Sequence, residues 1–532
     1  MTRERLYLFD TTLRDGAQTQ GVDFSVEDKI TIAHELDELG VDYIEGGWPG
    51  ANPTDTAFFS SPPTLQNAKL TAFGMTKRSG RSAANDPGLA GLLDTDAGAV
   101  CLVGKSWDFQ VEVALEIPLS ENLTNISESI AAAVGKKREA LFDAEHFFDG
   151  YKANQDYALS CLGAALDAGA NWLVLCDTNG GTMPEEAYRI VSEVKTKFPK
   201  ANLGIHAHND TEQAVAVSLA AVRGGVRQVQ GTLNGLGERC GNANLCSVLA
   251  NVMLKEPYAS QCETKISRKG LEKLTSASRL LDEILNRAPN RHAAYVGPSA
   301  FAHKGGLHVS AVLKDPRTYE HVPPESVGNR RHVLVSDQAG RSNILARLAE
   351  SGIDVDAKDK RIARLLDDVK QREFLGYAYD GAEASFELLA RRALGQVPEY
   401  FHVESFRVIV ERRHNALGEL ITISEASVKL AVDGKAFHNV ATGIGPVNAL
   451  DQALRKDLGK YSSYLKGLRL VDFKVRILTG GTEAVTRVMI ESADDEGRRW
   501  FTVGVSPNIV DASFEALSDS VCYMLYRYGA TA

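Results

Sequence analysis

Short apolar runs and longer amphipathic segments alternate over the first 250 residues of the chain. The apolar runs predict strands at residues 6–10, 43–47, 70–75, 99–103, 140–144, 172–176, 203–207 and 228–231. Helical periodicity lies between most of them, at residues 26–39, 126–137, 157–168, 185–198 and 212–222. Eight strands alternating with helices predict an α/β fold, a parallel (β/α)8 TIM barrel. A doubly wound open sheet is the alternative, although no glycine-rich phosphate loop follows the first strand.

The alternation stops near residue 269, where helical segments begin to dominate. An irregular stretch rich in His, Gly and Pro follows at residues 290–335, and its composition is unlike that of a flexible linker. From about residue 401 a weak repeat appears, in which β-rich sequence leads twice into a helix, once after Gly443-Ile-Gly-Pro446 and once after Gly504-Val-Ser-Pro507. We therefore predict a catalytic barrel at residues 1–268, a mainly helical connecting subdomain at 269–400 and a pseudo-symmetric α+β regulatory or dimerisation domain at 401–532.

Composition excludes several classes of protein. The 532 residues carry a net charge of −10, so nothing indicates a nucleic-acid or anionic-membrane partner. No run approaches the roughly 18 apolar residues of a membrane span, and the polar N-terminus lacks the features of a secretory signal. The seven cysteines form no CxxC pair, which favours reduced thiols. We expect a cytoplasmic enzyme.

Three separated motifs carry the candidate chemistry: DTTLRDG (residues 10–16), HAHND (206–210) and GERCGNA (237–243). An isolated His-x-His is more often a pair of satisfied polar residues than a metal site. Here His206 and His208 end an apolar strand and point to one side of it, while Asp15 offers a hard oxygen ligand and Asn242 a neutral one. The carboxyl ends of barrel strands meet at one mouth, so these residues predict a catalytic divalent-metal site.

Three further side chains belong to the same predicted mouth. Arg14 would stabilise negative charge on a carbonyl oxygen, although an arginine more often forms a surface ion pair. Glu145 follows the fifth strand and could remove a proton from a weakly acidic carbon, although a loop carboxylate is usually only solvated. Thr178 is suited to a substrate carboxylate or, equally, to capping a helix.

The three motifs, in this order, resemble the metal-dependent Claisen-condensing and lyase barrels of the 2-isopropylmalate synthase superfamily. The segments GGLHVSAV (305–312) and TYEHVPPESVGNRR (318–331) resemble the connecting subdomain of its synthases. The C-terminal repeat resembles their leucine- or isoleucine-sensing domain. Within the superfamily, GGWPGANPTD (46–55) is similar to the corresponding run of citramalate synthases.

The resemblance implies roles residue by residue. It implies that Arg14 stabilises the oxyanion, that Glu145 performs the deprotonation and that Thr178 contacts the keto-acid carboxylate. His308 and Tyr319 match catalytic residues of the connecting subdomain, supplied by the partner protomer of a homodimer with shared active sites. The implied metal ligands are Asp15, His206 and His208, with Asn242 nearby or ligating. Zn, Mn, Mg and Co all stay open as the metal.

The implied reaction condenses acetyl-CoA with pyruvate and water to give citramalate and CoA, an entry step to isoleucine biosynthesis. Alternatives are a 2-isopropylmalate or homocitrate synthase using another 2-keto acid, a lyase like HMG-CoA lyase, and a non-catalytic amino-acid-binding protein. We expect Met75 and Leu102, at strand ends, to set the size of the keto-acid pocket. Isoleucine or, second, leucine is the expected effector of the C-terminal domain. His303 has no role in the resemblance and is interpreted as structural.

Overall fold

The computed structural model describes residues 3–285, 287, 289–333, 341–356, 358–479 and 484–531. The chain forms two compact units, one of Met1–Phe301 with Val322–Arg330 and one of Ala302–His321 with Arg331–Ala532. The division into three domains at residues 268 and 400 stays a prediction. Within the described ranges, none of the helices has both the length and the apolar composition needed to cross a bilayer.

The first unit contains a closed barrel of parallel strands. In chain order they are β1 (Tyr7–Asp10), β2 (Tyr43–Gly47), β3 (Lys69–Met75), β4 (Ala99–Lys105), β5 (Glu139–Glu145), β6 (Trp172–Asp177), β7 (Leu203–Ala207) and β8 (Gln228–Gly231). The pairing of Tyr7 with Gln228 joins β1 to β8 and closes the barrel. The predicted (β/α)8 fold is confirmed, and the open sheet is wrong because an open sheet would leave β1 and β8 unpaired.

A helix follows each strand and covers the outside of the barrel. These helices are α1 (Val26–Leu39), α2 (Pro53–Ser60), α3 (Pro87–Leu93), α4 (Leu119–Gly135), α5 (Gln155–Asp167), α6 (Pro184–Lys197), α7 (Ala214–Gly224) and α8 (Leu245–Leu254). Local sequence sets their ends: Ser25 and Asp28 form a capping box at the start of α1, and Gly40 ends the helix in a left-handed conformation. A further helix, α9 (Leu274–Ile284), packs against α1.

The inside of the barrel changes character along the strands. At the amino ends, Tyr7, Tyr43 and Trp172 form an aromatic layer, with the Tyr7 and Trp172 ring centroids 5.1 Å apart. The inward positions nearer the carboxyl ends are polar and charged, and they include Asp143 and Gln230. A packed floor beneath a polar mouth is the arrangement that positions catalytic groups in this fold.

The second unit contains the predicted repeat. One antiparallel sheet consists of β9 (His402–His414), β10 (Leu420–Val432) and β11 (Lys435–Gly443), and the other of β12 (Arg469–Ile477), β13 (Thr486–Ala493) and β14 (Arg499–Ser506). Before the sheets, the described part of this unit forms α10 (Gly306–Lys314), α11 (Arg341–Glu350), α12 (Lys360–Phe374) and α13 (Glu383–Ala393). Each sheet leads into one helix, α14 (Pro446–Lys456) or α15 (Ile509–Arg527), so the strands-then-helix repeat is confirmed.

Candidate active site

Asp15, His206 and His208 form a buried cluster at the carboxyl end of the barrel. His206 Nε2 lies 3.2 Å from Asp15 Oδ2, and His208 Nε2 lies 4.0 Å from the same oxygen. One ligand atom from each residue lies within 4.8 Å of the others, which is close enough to hold one metal ion. The turn after β1 places Asp15, whose N–H donates to Thr11 O at 2.9 Å. His206 lies in β7 and His208 directly after its end, and both point to one side because side chains alternate along extended backbone.

The GERCGNA loop brings Asn242 to the cluster. His208 and Asn242 form an isolated backbone bridge, and the Asn242 amide nitrogen donates to Leu236 O at 3.1 Å. A side chain at Gly237 would lie 2.1 Å from that amide nitrogen, so the close approach requires glycine. Asn242 Oδ1 and Asp15 Oδ1 are both buried without a hydrogen-bond partner among the described residues. Two unpaired oxygens beside two imidazoles are a donor set that fits a divalent metal.

Arg14 is fixed beside this cluster. Its Nε donates to Glu45 Oε2 at 2.7 Å, its Nη1 lies 3.5 Å from Asp15 Oδ2, and its guanidinium stacks 4.0 Å from the centroid of Phe73. Burial alone would lower the pKa of the guanidinium, but the charges of Glu45 and Asp15 raise it above its usual range. The cluster therefore has a permanent, oriented cation beside it.

The electrostatics of the cluster suit a metal ligand set. Burial would raise the pKa of the Asp15 carboxyl, but Arg14 and the two histidines hold it well below its usual range. Burial and the neighbouring His206 lower the pKa of His208 to about 4. Asp15 is therefore ionised and His208 neutral near pH 7, the protonation states that metal ligation requires. Burial would lower the pKa of His206, but the hydrogen bond to Asp15 and its charge raise it, so a metal ion would displace a proton from this ring.

Glu145 and Thr178 lie at the same mouth. Lys105 is the register partner of Glu145 across β4 and β5, and its Nζ lies 2.6 Å from Glu145 Oε2. Thr178 Oγ1 accepts a hydrogen bond of 2.8 Å from the backbone N–H of His146. The Thr178 hydroxyl proton therefore remains available to a substrate oxygen.

These residues surround a cavity of about 710 Å³ at the barrel mouth. Six of the predicted site residues line it: Arg14, Asp15, Glu145, Thr178, His206 and His208. Met75 lines the cavity as expected, but Leu102 does not, and that expectation is wrong. Leu102 is fully buried in the apolar layer between strands and helices, whereas its neighbour Val103 faces the cavity, because adjacent strand residues point to opposite faces.

A second cavity of about 270 Å³ adjoins the first. The two share Trp48, Met75, Lys105 and Glu145 as lining residues. Lys77, Arg78, Leu115 and Ile117 are among the other residues around it, so its wall combines apolar and basic groups. The mouth is thus large enough for a second, longer reactant beside the cluster.

His308 and Tyr319 belong to the second compact unit. Their ring centroids lie 4.2 Å apart with an interplanar angle of 31°, and both side chains are exposed. Their catalytic role stays a prediction. His303 is buried and its Nε2 lies 3.2 Å from Glu320 Oε1, in keeping with the structural interpretation.

Sequence reasoning missed Glu45, Phe73, Lys105 and the interior pair Asp143 and Gln230. For all of them but Phe73, the available signal was a charged or amide side chain inside an otherwise apolar strand, as in YIEGG and ALFDAE. Such a residue faces either the barrel interior or the helices, and only the inward orientation makes it part of the site.

Comparison with protein families matches three consecutive segments. Residues 5–279 match the HMGL-like family, residues 295–373 the homocitrate synthase post-HMGL domain-like family, and residues 380–525 the LeuA allosteric (dimerisation) domain. The first match spans the barrel and all three site motifs. The order of the three segments is the order expected from the sequence.

Curated proteins match over nearly the whole chain. An (R)-citramalate synthase from Aquifex aeolicus is 50% identical over 98% of both chains. An (R)-citramalate synthase from Geobacter sulfurreducens is 53% identical over 98% of this chain and 97% of the relative, and one from Synechocystis is 48% identical over 98% and 96%. The chain therefore belongs to the (R)-citramalate synthase family of HMGL-like barrel enzymes.

Proposed function

We propose that this chain condenses acetyl-CoA with pyruvate and water to give citramalate and CoA. The observation that carries the proposal is the convergence of Arg14, Asp15, His206, His208 and Glu145 on one cavity in a chain that matches (R)-citramalate synthases end to end. A metal-binding group, a fixed cation and a carboxylate base are the three elements that an enolate addition to a keto acid requires.

The proposed metal ligands are Asp15, His206 and His208, with Asn242 as an additional oxygen donor. The unpaired oxygens of Asp15 and Asn242 support this assignment because buried polar atoms without partners are rare in folded proteins. When bound, a divalent ion would polarise the keto group of pyruvate. Zn, Mn, Mg and Co remain candidates because nitrogen and oxygen donors accept all four.

The protein groups would divide the remaining work. Thr178 would donate its hydroxyl proton to the pyruvate carboxylate and so orient the substrate. Glu145, held by Lys105, would remove a methyl proton from acetyl-CoA. The carbanion would attack the keto carbon, and Arg14 would stabilise the negative charge that develops on its oxygen. Hydrolysis of the thioester then releases CoA and makes condensation effectively irreversible.

The second unit supports two further parts of the proposal. Its match to the LeuA allosteric (dimerisation) domain supports a homodimer and regulation by an amino acid, isoleucine first and leucine second. His308 and Tyr319, whose ring centroids lie 4.2 Å apart, would act in the active site of the partner protomer.

Release of free thiol from acetyl-CoA tests the reaction. The enzyme should release thiol with pyruvate, and a chelator should abolish the release until a divalent metal is restored. Release with 2-ketoisovalerate or 2-oxoglutarate but not with pyruvate would replace the substrate assignment. Absence of release with all three keto acids would overturn the proposed condensation.

A further inference from the structure

His206 has a second hydrogen-bond partner on the side away from Asp15. Its Nδ1 lies 2.9 Å from Oε1 of Gln230, and the two residues are register partners across β7 and β8. Gln230 is fully buried and His206 nearly so. The imidazole is therefore held between an amide oxygen at Nδ1 and the ligand cluster at Nε2, where Asp15 Oδ2 lies 3.2 Å away.

Asp143 fixes which end of the Gln230 amide faces the histidine. Gln230 Nε2 donates to Asp143 Oδ1 at 3.2 Å, from β8 across the barrel interior to β5. Burial, followed by the charge of Glu45, raises the pKa of Asp143 to about 6, so the group is a carboxylate at neutral and mildly alkaline pH. A carboxylate only accepts hydrogen bonds, so the NH₂ end of the amide must face it and the oxygen must face His206.

An amide oxygen at Nδ1 determines which ring nitrogen of His206 faces the metal site. Oε1 can only accept, so the proton on Nδ1 is held there by Gln230, and Nε2 is the nitrogen left to give its lone pair to a metal ion. Nε2 is the nitrogen that faces Asp15 in the cluster. We propose that Gln230, oriented by Asp143, is a positioning residue that sets the tautomer and ring orientation of His206 for metal binding. The inference rests on the proposed metal site and adds the groups that prepare it.

The two histidines of the cluster differ in this respect. His208 Nδ1 is buried without a hydrogen-bond partner among the described residues. The hydrogen bonds that run from Nδ1 through Gln230 to Asp143 are therefore specific to His206 and are not shared by His208. Partners of this kind that orient a metal-binding histidine typically contribute about 10- to 100-fold to metal affinity.

The test measures metal affinity directly. Metal-free wild-type protein and Gln230→Met are titrated with Mn²⁺ and Zn²⁺ against a chromophoric chelator at mildly alkaline pH. Methionine keeps the length of the side chain but neither hydrogen bond, so affinity should fall by about 10- to 100-fold. Gln228→Met is the matched control, since Gln228 lies two residues earlier on the same strand, is fully buried and has no side-chain partner among the described residues. Its metal affinity should equal that of wild type.

A rescue variant separates positioning from folding. The double variant combines Asp143→Asn with Gln230→Glu and so exchanges the amide and the carboxylate. The amide at position 143 would donate to the carboxylate at position 230, and that carboxylate would accept from Nδ1 of His206. Metal affinity should therefore return close to that of wild type. Nitrogen-15 NMR of the ring, assigned with His206→Ala, should show a protonated Nδ1 in wild type and mixed tautomers in Gln230→Met.

The possible outcomes separate this inference from the proposed function. Unchanged affinity and tautomer in Gln230→Met would overturn the positioning role. Equal losses in Gln230→Met and Gln228→Met would also overturn it, because the effect would then be general to the barrel core. If wild type binds neither metal, the proposed metal site fails, while the NMR measurement still decides whether Gln230 sets the tautomer.

Discussion

Two contacts fix the guanidinium of Arg14, and a lysine at this position could not make both. The guanidinium donates to Glu45 from its edge and stacks on Phe73 with its face. An ammonium keeps the charge but can satisfy only one of these contacts. We expect Arg14→Lys to lower kcat by about 100- to 1000-fold, as loss of an oriented oxyanion donor does.

Steady-state kinetics with acetyl-CoA and pyruvate measures this effect. Arg189→Lys serves as the control because Arg189 forms an exposed pair with Glu193 on α6 and does not line the site cavity. A kcat of Arg14→Lys within a few-fold of the control would contradict the oxyanion role.

Val103 and Leu102 are adjacent but face different surroundings, so their truncation should have different effects. Val103→Ala enlarges the cavity and should raise the preference for 2-ketobutyrate over pyruvate by about tenfold, the value of one methylene in a hydrophobic pocket. Leu102→Ala leaves a cavity in the outer core and should lower the free energy of unfolding by about 3 kcal/mol with the preference unchanged. The ratio of kcat/KM for the two keto acids and the thermal midpoint check both expectations. A larger change in preference for Leu102→Ala than for Val103→Ala would contradict the cavity assignment.

The eight barrel strands and five of the eight helices that follow them could be predicted because each depends on local periodicity, and α1 begins and ends at the residues that its pattern indicated. Motifs at strand ends could be predicted to meet because a parallel barrel brings those ends together. The contacts of Glu45, Lys105 and Gln230 could not, because each depends on the register between strands and on which side of the barrel a residue faces. The sequence alone shows these residues only as polar positions within apolar runs, and it does not show which strand residues pair or which side each faces.

The loop after β2 shows how a subfamily motif acts as a structural element. Asp55 of GGWPGANPTD accepts hydrogen bonds from the backbone N–H of Trp48 and from Asn52 Nδ2, and it pairs with the buried Lys29. Gly47 lies against this carboxylate in a positive-φ conformation, where a Cβ would be 2.4 Å from Asp55 Cγ. The motif therefore fixes the backbone at Trp48, which lines the active cavity.

Alanine substitutions at Gly47, the last residue of β2, and at Gly50 in the loop should separate the cost of backbone strain from that of a steric clash. Gly47→Ala should lower the free energy of unfolding by about 3 kcal/mol, because strain and the clash with Asp55 add. Gly50 also has a positive φ, of 85°, but a Cβ there would meet open space. Gly50→Ala should therefore lower the free energy of unfolding by only about 1 kcal/mol, through backbone strain alone. Thermal unfolding measures both. Equal destabilisation of the two variants would show that Asp55 does not constrain Gly47.

At the scale of the whole molecule, the candidate catalytic groups are divided between the two compact units. Arg14, Asp15 and Glu145 belong to the first, and His308 and Tyr319 to the second. The match of residues 380–525 to a dimerisation domain supports assembly of two chains. Under the proposed function, each barrel receives His308 and Tyr319 from its partner, so one chain alone should be inactive.

Mixing two inactive variants tests this division. Asp15→Ala removes a proposed metal ligand from the barrel, and His308→Ala removes the proposed catalytic imidazole of the second unit. After subunit exchange, half of the dimers would contain one chain of each kind. Each mixed dimer would pair an intact barrel with an intact His308, so activity should recover to about a quarter of wild type. If His308 acts within its own chain, mixing would restore nothing, because no intact barrel would share a chain with an intact His308. Sedimentation of the mixture, with one variant carrying a size tag, verifies that exchange has occurred and makes a failure to recover activity decisive against sharing.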